Sequence, residues 1–178
     1  MTTEDKRRDS IEHLSELIAE IPVVMLTTCL ADHSLRSRPM VNVNNNFQGD
    51  LWFFTNINDP KVEEIRGNPQ VNVALAAPGD KQYVSISGTA STTQDQKRIE
   101  LLWDDECDRW FPEGPKDDQL ALIQVEIERA EYWDAKQNAM VALTGWAKGM
   151  TGKSKDSVKH DKIDWDPEPG PPGRSEAN

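Results

Sequence analysis

The chain is poor in the residues that build metal centres and covalent active sites. Its 178 residues include two cysteines, Cys29 and Cys107, and three scattered histidines, His13, His33 and His160. Neither the Cys nor the His positions have zinc-ligand spacing, and His-Glu-x-x-His is absent, so no metal site is expected. Two thiols in a reducing compartment predict no structural disulfide. Cys29 lies in an apolar run and reads as a small buried hydrophobe. Cys107 stands among Asp and Glu, which raise a thiol pKa and blunt it as a nucleophile. No nucleophile has a base beside it, so no catalytic residue is assigned. Long apolar runs are missing too: none approaches the ~20 residues of a membrane span. The polar start, Met1 to Arg8, does not lead into the apolar stretch of a signal peptide, which makes the cytoplasm the expected compartment. Positive charge is in deficit. Twenty Lys and Arg against 31 Asp and Glu give a net charge of -11 and a pI near 4.7. Such a chain repels nucleic acid and anionic membrane surfaces, and neither is an expected partner.

What is present is a succession of short alternating segments. Residues 4–20 read as a helix with Ile11, Leu14, Leu17, Ile18 and Ile21 on one stripe, stopped by Pro22. Val23 to Leu30, a polar-faced run from Arg36 to Asn46, and Leu51 to Thr55 read as three strands joined by turns, an antiparallel meander. A helix over 60–66 follows. Further strands are predicted over Gln70–Ala76, Tyr83–Thr93, Leu120–Ile127 and Met140–Leu143, with a helix capped by Asp95 between the second and third of them. The sum is a mainly β (α+β) fold: a six- to seven-stranded antiparallel barrel with peripheral helices. Composition changes near Gly145. Residues 1–146 form the folded domain, and 147–178 read as a polar, Pro/Gly-rich, flexible tail in which Trp165 is an isolated apolar residue.

One segment carries the functional signal. Phe53-Phe54-Thr55-Asn56-Ile57-Asn58-Asp59-Pro60-Lys61 is a buried strand ending in a Thr/Asn turn that opens a helix. Two readings fit it. Asp followed by Pro is an ordinary helix start. The same arrangement also brings hydroxyl, amide and lysine groups to free backbone N–H groups at a helix N-terminus, one way to hold a phosphate.

The order of several short motifs resembles a known family. Arg38-Pro39-Met40, then Phe54-Thr55-Asn56 with Lys61, then Asn68-Pro69, then Tyr83-Val84-Ser85-Ile86-Ser87-Gly88-Thr89-Ala90 are similar to the pyridoxamine 5′-phosphate oxidase-like, FMN-binding split-barrel proteins. Leu51-Trp52-Phe53-Phe54-Thr55, Trp110-Phe111-Pro112-Glu113-Gly114 and Glu131-Tyr132-Trp133-Asp134 resemble the general stress protein 26 branch. The resemblance covers about residues 10–150. It implies a split β-barrel and a homodimer with FMN, or the larger FAD, at the subunit interface. It also implies roles. Arg38 matches an arginine on the phosphate side. Pro39, Met40 and Val41 line the flavin, and Phe54, Thr55 and Asn56 meet the ring and ribityl chain. Lys61 matches the phosphate lysine, with Thr55 and Asn58 left to share the phosphate if Asp59 turns away, and Trp133 resembles an interface aromatic that reaches the partner's flavin. The implied function is a flavin-binding general stress protein, a flavin-dependent oxidoreductase on a small substrate with a small-molecule redox partner. The alternative is a non-catalytic flavin reservoir or sensor.

Two departures stand out. The family commonly has serine where this chain has Asp59, and the expectation is that Asp59 turns away to cap the helix. The second-strand lysine of true pyridoxamine phosphate oxidases falls near Val43, and no Arg-x-His follows Trp146, so that reaction is not expected.

Overall fold

The computed structural model describes residues 3–44, 47, 49–134, 139–144 and 160–163 of the chain. Helix α1 (Thr3–Glu20) ends at the residues before Pro22, whose ring removes the N–H a further turn would need. Leu14, Leu17, Ile18 and, just past the helix, Ile21 are buried, the predicted stripe. Strand β1 (Val23–Cys29) alternates buried and open positions and pairs antiparallel with β2 (Leu35–Val41). The remaining elements are β3 (Asp50–Asn56), α2 (Pro60–Gly67), β4 (Gln70–Ala77), β5 (Gln82–Thr93), α3 (Gln96–Leu102), α4 (Cys107–Trp110), β6 (Leu120–Asp134), β7 (Ala139–Thr144) and β8 (His160–Ile163).

Pairing runs β2-β1-β4-β5-β6-β7-β8, with β3 joined to β6. Six antiparallel strands, β2, β1, β4, β5, β6 and β3, curl into a half-barrel with the helices at its periphery. Strand β6 makes the split. Its first half pairs with β3 (Leu120↔Asn56 to Glu126↔Asp50), and its second half pairs with β7 (Arg129↔Thr144 to Asp134↔Ala139). The changeover coincides with a β-bulge, where Ser87 pairs with Arg129 but Gly88 pairs with Ile127. Backbone approaches closely there: a Cβ on Gly88 would lie 2.1 Å from the Glu126 carbonyl oxygen.

The open seam between β2 and β3 is bridged by side chains rather than by a ladder. Asn44 Oδ1 accepts from the Trp52 N–H at 2.7 Å, and its Nδ2 donates to the Trp52 carbonyl at 3.1 Å. Asn42 Nδ2 donates to the Ile18 and Ile21 carbonyls at the end of α1, and its Oδ1 accepts from Asn44. Both side chains are buried and paired, as buried amides must be.

Two cores result. The main one joins α1 to the inner sheet face through Leu26, Phe53, Val73, Ile86, Ile123 and Tyr132. A smaller one lies outside β3 and β6, where Phe54, Leu120 and Leu122 meet Ile99 and Cys107 of α3 and α4. Residues 120–123 are therefore buried on both faces of β6, which is why they read as an unbroken apolar run.

Several expectations are corrected. The first three strands are not a meander, because β3 pairs with β6 rather than β2. Strand β2 stops at Val41, since Asn42 and Asn44 are needed at the seam; Asn45 and Asn46 lie outside the described residues. Strand β6 continues through Asp134. A short helix, α4, follows α3. Within the polar segment 147–178, residues 160–163 form β8 on β7, and the rest, Trp165 included, lies outside the described residues. Among the described residues no helix is long and apolar enough to cross a membrane.

Candidate functional site

The end of β3 feeds directly into α2 and places Thr55, Asp59 and Lys61 at one rim of a cavity. The cavity measures about 300 Å³. Its walls come from three places: Val23 of β1 with Pro39, Met40, Val41 and Val43 in and after β2; Phe54 at the end of β3; and Cys107, Trp110 and Phe111 at α4. Phe54 is fixed from behind by edge-on packing with Trp103 (ring centroids 5.4 Å apart, planes at 77°) and by the tilted ring of Phe111 at 6.0 Å. A largely apolar concavity with a few polar groups at one edge is the usual form of a small-molecule site.

Polar chemistry is concentrated at the β3–α2 rim. Thr55, 2% exposed, donates from Oγ1 to Asp59 Oδ2 at 3.0 Å. Lys61 Nζ donates to Thr55 Oγ1 at 3.1 Å and forms an ion pair with Asp59 Oδ2. Asp59 occupies the N-cap position of α2, yet its side chain makes no capping hydrogen bond. The expected capping role is thus corrected: its carboxylate turns to the lysine and threonine instead. Asp95 shows the contrast, accepting from the Lys97 and Arg98 N–H groups at the start of α3. Burial pushes the Asp59 pKa up, but the hydrogen bonds from Lys61 and Thr55 outweigh it and hold the carboxyl below its usual range.

The residues singled out from the sequence divide into two groups. Pro39, Met40, Val41, Phe54, Thr55 and Lys61 meet around the cavity. Arg38, Asn56, Asn58 and Trp133 are not among its lining residues. Arg38 donates to Thr28 Oγ1 at 3.0 Å and to Glu64 Oε2 at 2.6 Å, and the other oxygen of Glu64 takes Arg36 at 2.7 Å. This cluster ties β1 and β2 to α2. Burial pushes the Glu64 pKa up, but Thr28 and Arg38 more than offset that and lower it. Asn56 builds the turn: Oδ1 accepts from the Asn58 N–H at 2.8 Å and Nδ2 donates to Gln119 at 3.1 Å. Asn58 is exposed. Trp133 sits half-buried on β6 opposite Tyr83.

Val23, Val43, Cys107, Trp110 and Phe111 line the cavity without having been expected to. The Trp110-Phe111 motif held the signal, but an aromatic pair beside a helix reads first as packing. Cys107 is a poor nucleophile: burial above all, with the Asp104 carboxylate adding to it, pushes the thiol up to about 11. Among the described residues, no group of three or more His, Cys, Asp or Glu could hold a metal ion.

Half-barrel, split sixth strand and strand–turn–helix rim together define a split-barrel protein. The sequence profile described as Pyridoxamine 5'-phosphate oxidase like matches residues 9–157. The chain belongs to that family, in its general stress protein 26 branch. The solved general stress protein 26 of Bacillus anthracis is 26% identical, with 67% of this chain and 93% of that one covered and a TM-score of 0.59. The general stress FMN/FAD binding protein of Xanthomonas citri is 25% identical, covering 69% and 87%, with a TM-score of 0.61. A pyridoxine/pyridoxamine 5'-phosphate oxidase of Idiomarina loihiensis is 30% identical over 115 residues, 65% of this chain and 50% of that protein. The chain spans about half the length of the curated relatives it matches.

Proposed function

We propose that the cavity holds a flavin, FMN or the larger FAD, and that the protein is a flavin-dependent oxidoreductase acting on a small substrate. The observation that carries this reading is the apolar, aromatic-walled cavity of about 300 Å³ with Lys61 on the first turn of α2 at its rim. The residues fit the group. Pro39, Val41 and Phe54 offer flat apolar walls to a planar ring, while Lys61 and Thr55 offer donors to an anionic side chain. A bound flavin would supply hydride and one-electron chemistry. The chain's part is to orient the ring, exclude water from one face and hold the polar chain at the β3–α2 turn.

The reading includes a homodimer. The outer sheet face exposes Val23 (52%), Met25 (40%) and Tyr83 (37%), with Pro39 beside Met25 and Trp133 beside Tyr83 in register. Pro39, Val41 and Val23 belong both to this face and to the cavity wall, so a second copy seated on the face would close the cavity's open side and bring Trp133 across. Small-molecule reductants then reach the flavin from the interface.

A non-catalytic flavin reservoir or sensor has one observation in its favour. The cavity's titratable groups are Asp59, Lys61 and Cys107; the first two are paired to each other and the third is held protonated. Absorbance spectra of the purified protein with added FMN, followed by anaerobic titration with NADH or NADPH, separate these readings. Flavin bands that bleach with the nicotinamide support the oxidoreductase. Bands that persist against a broad panel of donors support the reservoir. A colourless protein that takes up no FMN or FAD sinks both. Sedimentation of the wild type and of Met25→Glu tests the dimer, with a monomeric wild type the contradicting result.

A further inference from the structure

We infer that Asp59 is a built-in competitor for the phosphate of the ligand, so that the site holds a phosphorylated flavin as an exchangeable ligand rather than a permanent one. The inference rests on the flavin reading above and adds its regulation. A phosphate at this rim would take the Lys61 ammonium and the Thr55 hydroxyl, the two side-chain donors that line the cavity there. Both already meet Asp59: Thr55 Oγ1 donates to Asp59 Oδ2 at 3.0 Å, and Lys61 Nζ forms an ion pair with the same oxygen. One carboxylate oxygen thus stands where a phosphate oxygen would.

Charge balance points the same way. Among the described lining residues Lys61 is the cation and Asp59 the anion, so the rim is neutral before any ligand arrives. The nearby guanidinium of Arg38 is also taken, by Glu64 of α2. A flavin phosphate carries close to two negative charges and three acceptor oxygens. To bind, it must displace Asp59 from Lys61 and then sit beside an unpaired carboxylate. The ring gains its apolar burial regardless. Phosphorylated and unphosphorylated flavins therefore bind with similar affinity, because the group that distinguishes them meets a rim whose charge is already met. Asp59 is free to perform this function because it does not cap α2, and the helix start loses no hydrogen bond when it moves.

Isothermal titration of FMN and of riboflavin into the full chain tests this, with wild type, Asp59→Ser and Asp59→Asn compared. The expected wild type binds FMN no more than about threefold tighter than riboflavin. Asp59→Ser then gains about tenfold or more for FMN while riboflavin stays within about twofold, since only the phosphate senses the carboxylate. Asp59→Asn keeps the shape, loses the charge and gains in the same direction. Lys61→Met placed on Asp59→Ser removes the gain. The inference is overturned if riboflavin binds all three proteins alike and FMN gains nothing from either Asp59 variant. Failure of both ligands to bind the wild type overturns the flavin reading itself, and this inference with it. Riboflavin binding by each variant reports that its cavity is intact.

Discussion

Replacing Gly88 by alanine should break the sheet where it divides. The added Cβ would stand 2.1 Å from the Glu126 carbonyl oxygen, 3.0 Å from its carbon and 3.2 Å from Val125 Cγ1. Non-bonded carbon contacts settle near about 3.5 Å, so the two strands must part by more than about 1 Å. The atom struck is backbone, so no rotamer relieves it. Overpacking alone costs about 1–3 kcal/mol. Parting β5 from β6 at the bulge also weakens neighbouring ladder bonds, at about 1 kcal/mol each. The total is about 3–5 kcal/mol, a large share of the about 5–15 kcal/mol by which domains are commonly stable. Urea unfolding followed by tryptophan fluorescence measures it. Gly67→Ala is the control, because its Cβ would meet nothing within 4 Å. It should match wild type or gain a few tenths of a kcal/mol. Gly88→Ala unfolding at the same urea concentration as Gly67→Ala would refute the close-approach argument.

Other expectations concern the polar ties. Asn42→Ala leaves the Ile18 and Ile21 carbonyls and the Asn44 backbone N–H without their side-chain partner, and should cost about 3 kcal/mol in urea unfolding; a change below about 0.5 kcal/mol would mean the α1–seam tie is idle. Glu64→Gln should destabilise by about 2 kcal/mol at neutral pH, because Arg38, Arg36 and Thr28 all converge on that carboxylate. Its folded pKa is depressed, so its contribution is complete above the ordinary value of 4.5 and is lost as pH falls through the folded value. The gap between wild type and Glu64→Gln should therefore narrow as pH drops below 4.5; a gap that holds constant into strong acid would contradict the assignment.

Much of the fold is written in local pattern. The α1 stripe, the alternation of β1, β4 and β5 and the Asp95 cap of α3 each arise from neighbours within one or two turns, and each is where the sequence puts it. What the pattern leaves out is long-range. Strand β3 pairs with a strand some 70 residues later, and nothing between Leu51 and Thr55 says which strand that is. Nor does an apolar run such as 120–123 reveal that two cores share it. His160 to Ile163, three polar residues and one isoleucine, carry no strand pattern of their own and form β8 by pairing with the edge of β7.

The site follows the same division. Pro39, Met40, Val41, Phe54, Thr55 and Lys61 converge from motifs that were visible in order and spacing. Arg38 matched the motif as well as they did, but its partner Glu64 lies on α2, and an ion pair across 26 positions has no local signature. Asp59 departs from the expectation for the opposite reason. Asp-Pro is so strong a local helix-start signal that it outweighs, in the sequence, the other use of the carboxylate, toward a lysine two positions on.

The central claim is that a flavin ring lies in the cavity between β2, the end of β3 and α4. Quenching of FMN fluorescence on titration, in wild type and in Val41→Trp, tests it most directly. Val41 is half-buried at the wall, and an indole there fills the space without cutting into the main core. Saturable quenching at one flavin per chain in wild type, lost in Val41→Trp while both proteins unfold at similar urea concentrations, is the predicted result. Equal binding by the two proteins would place the flavin elsewhere, and no saturable quenching in wild type would contradict the account.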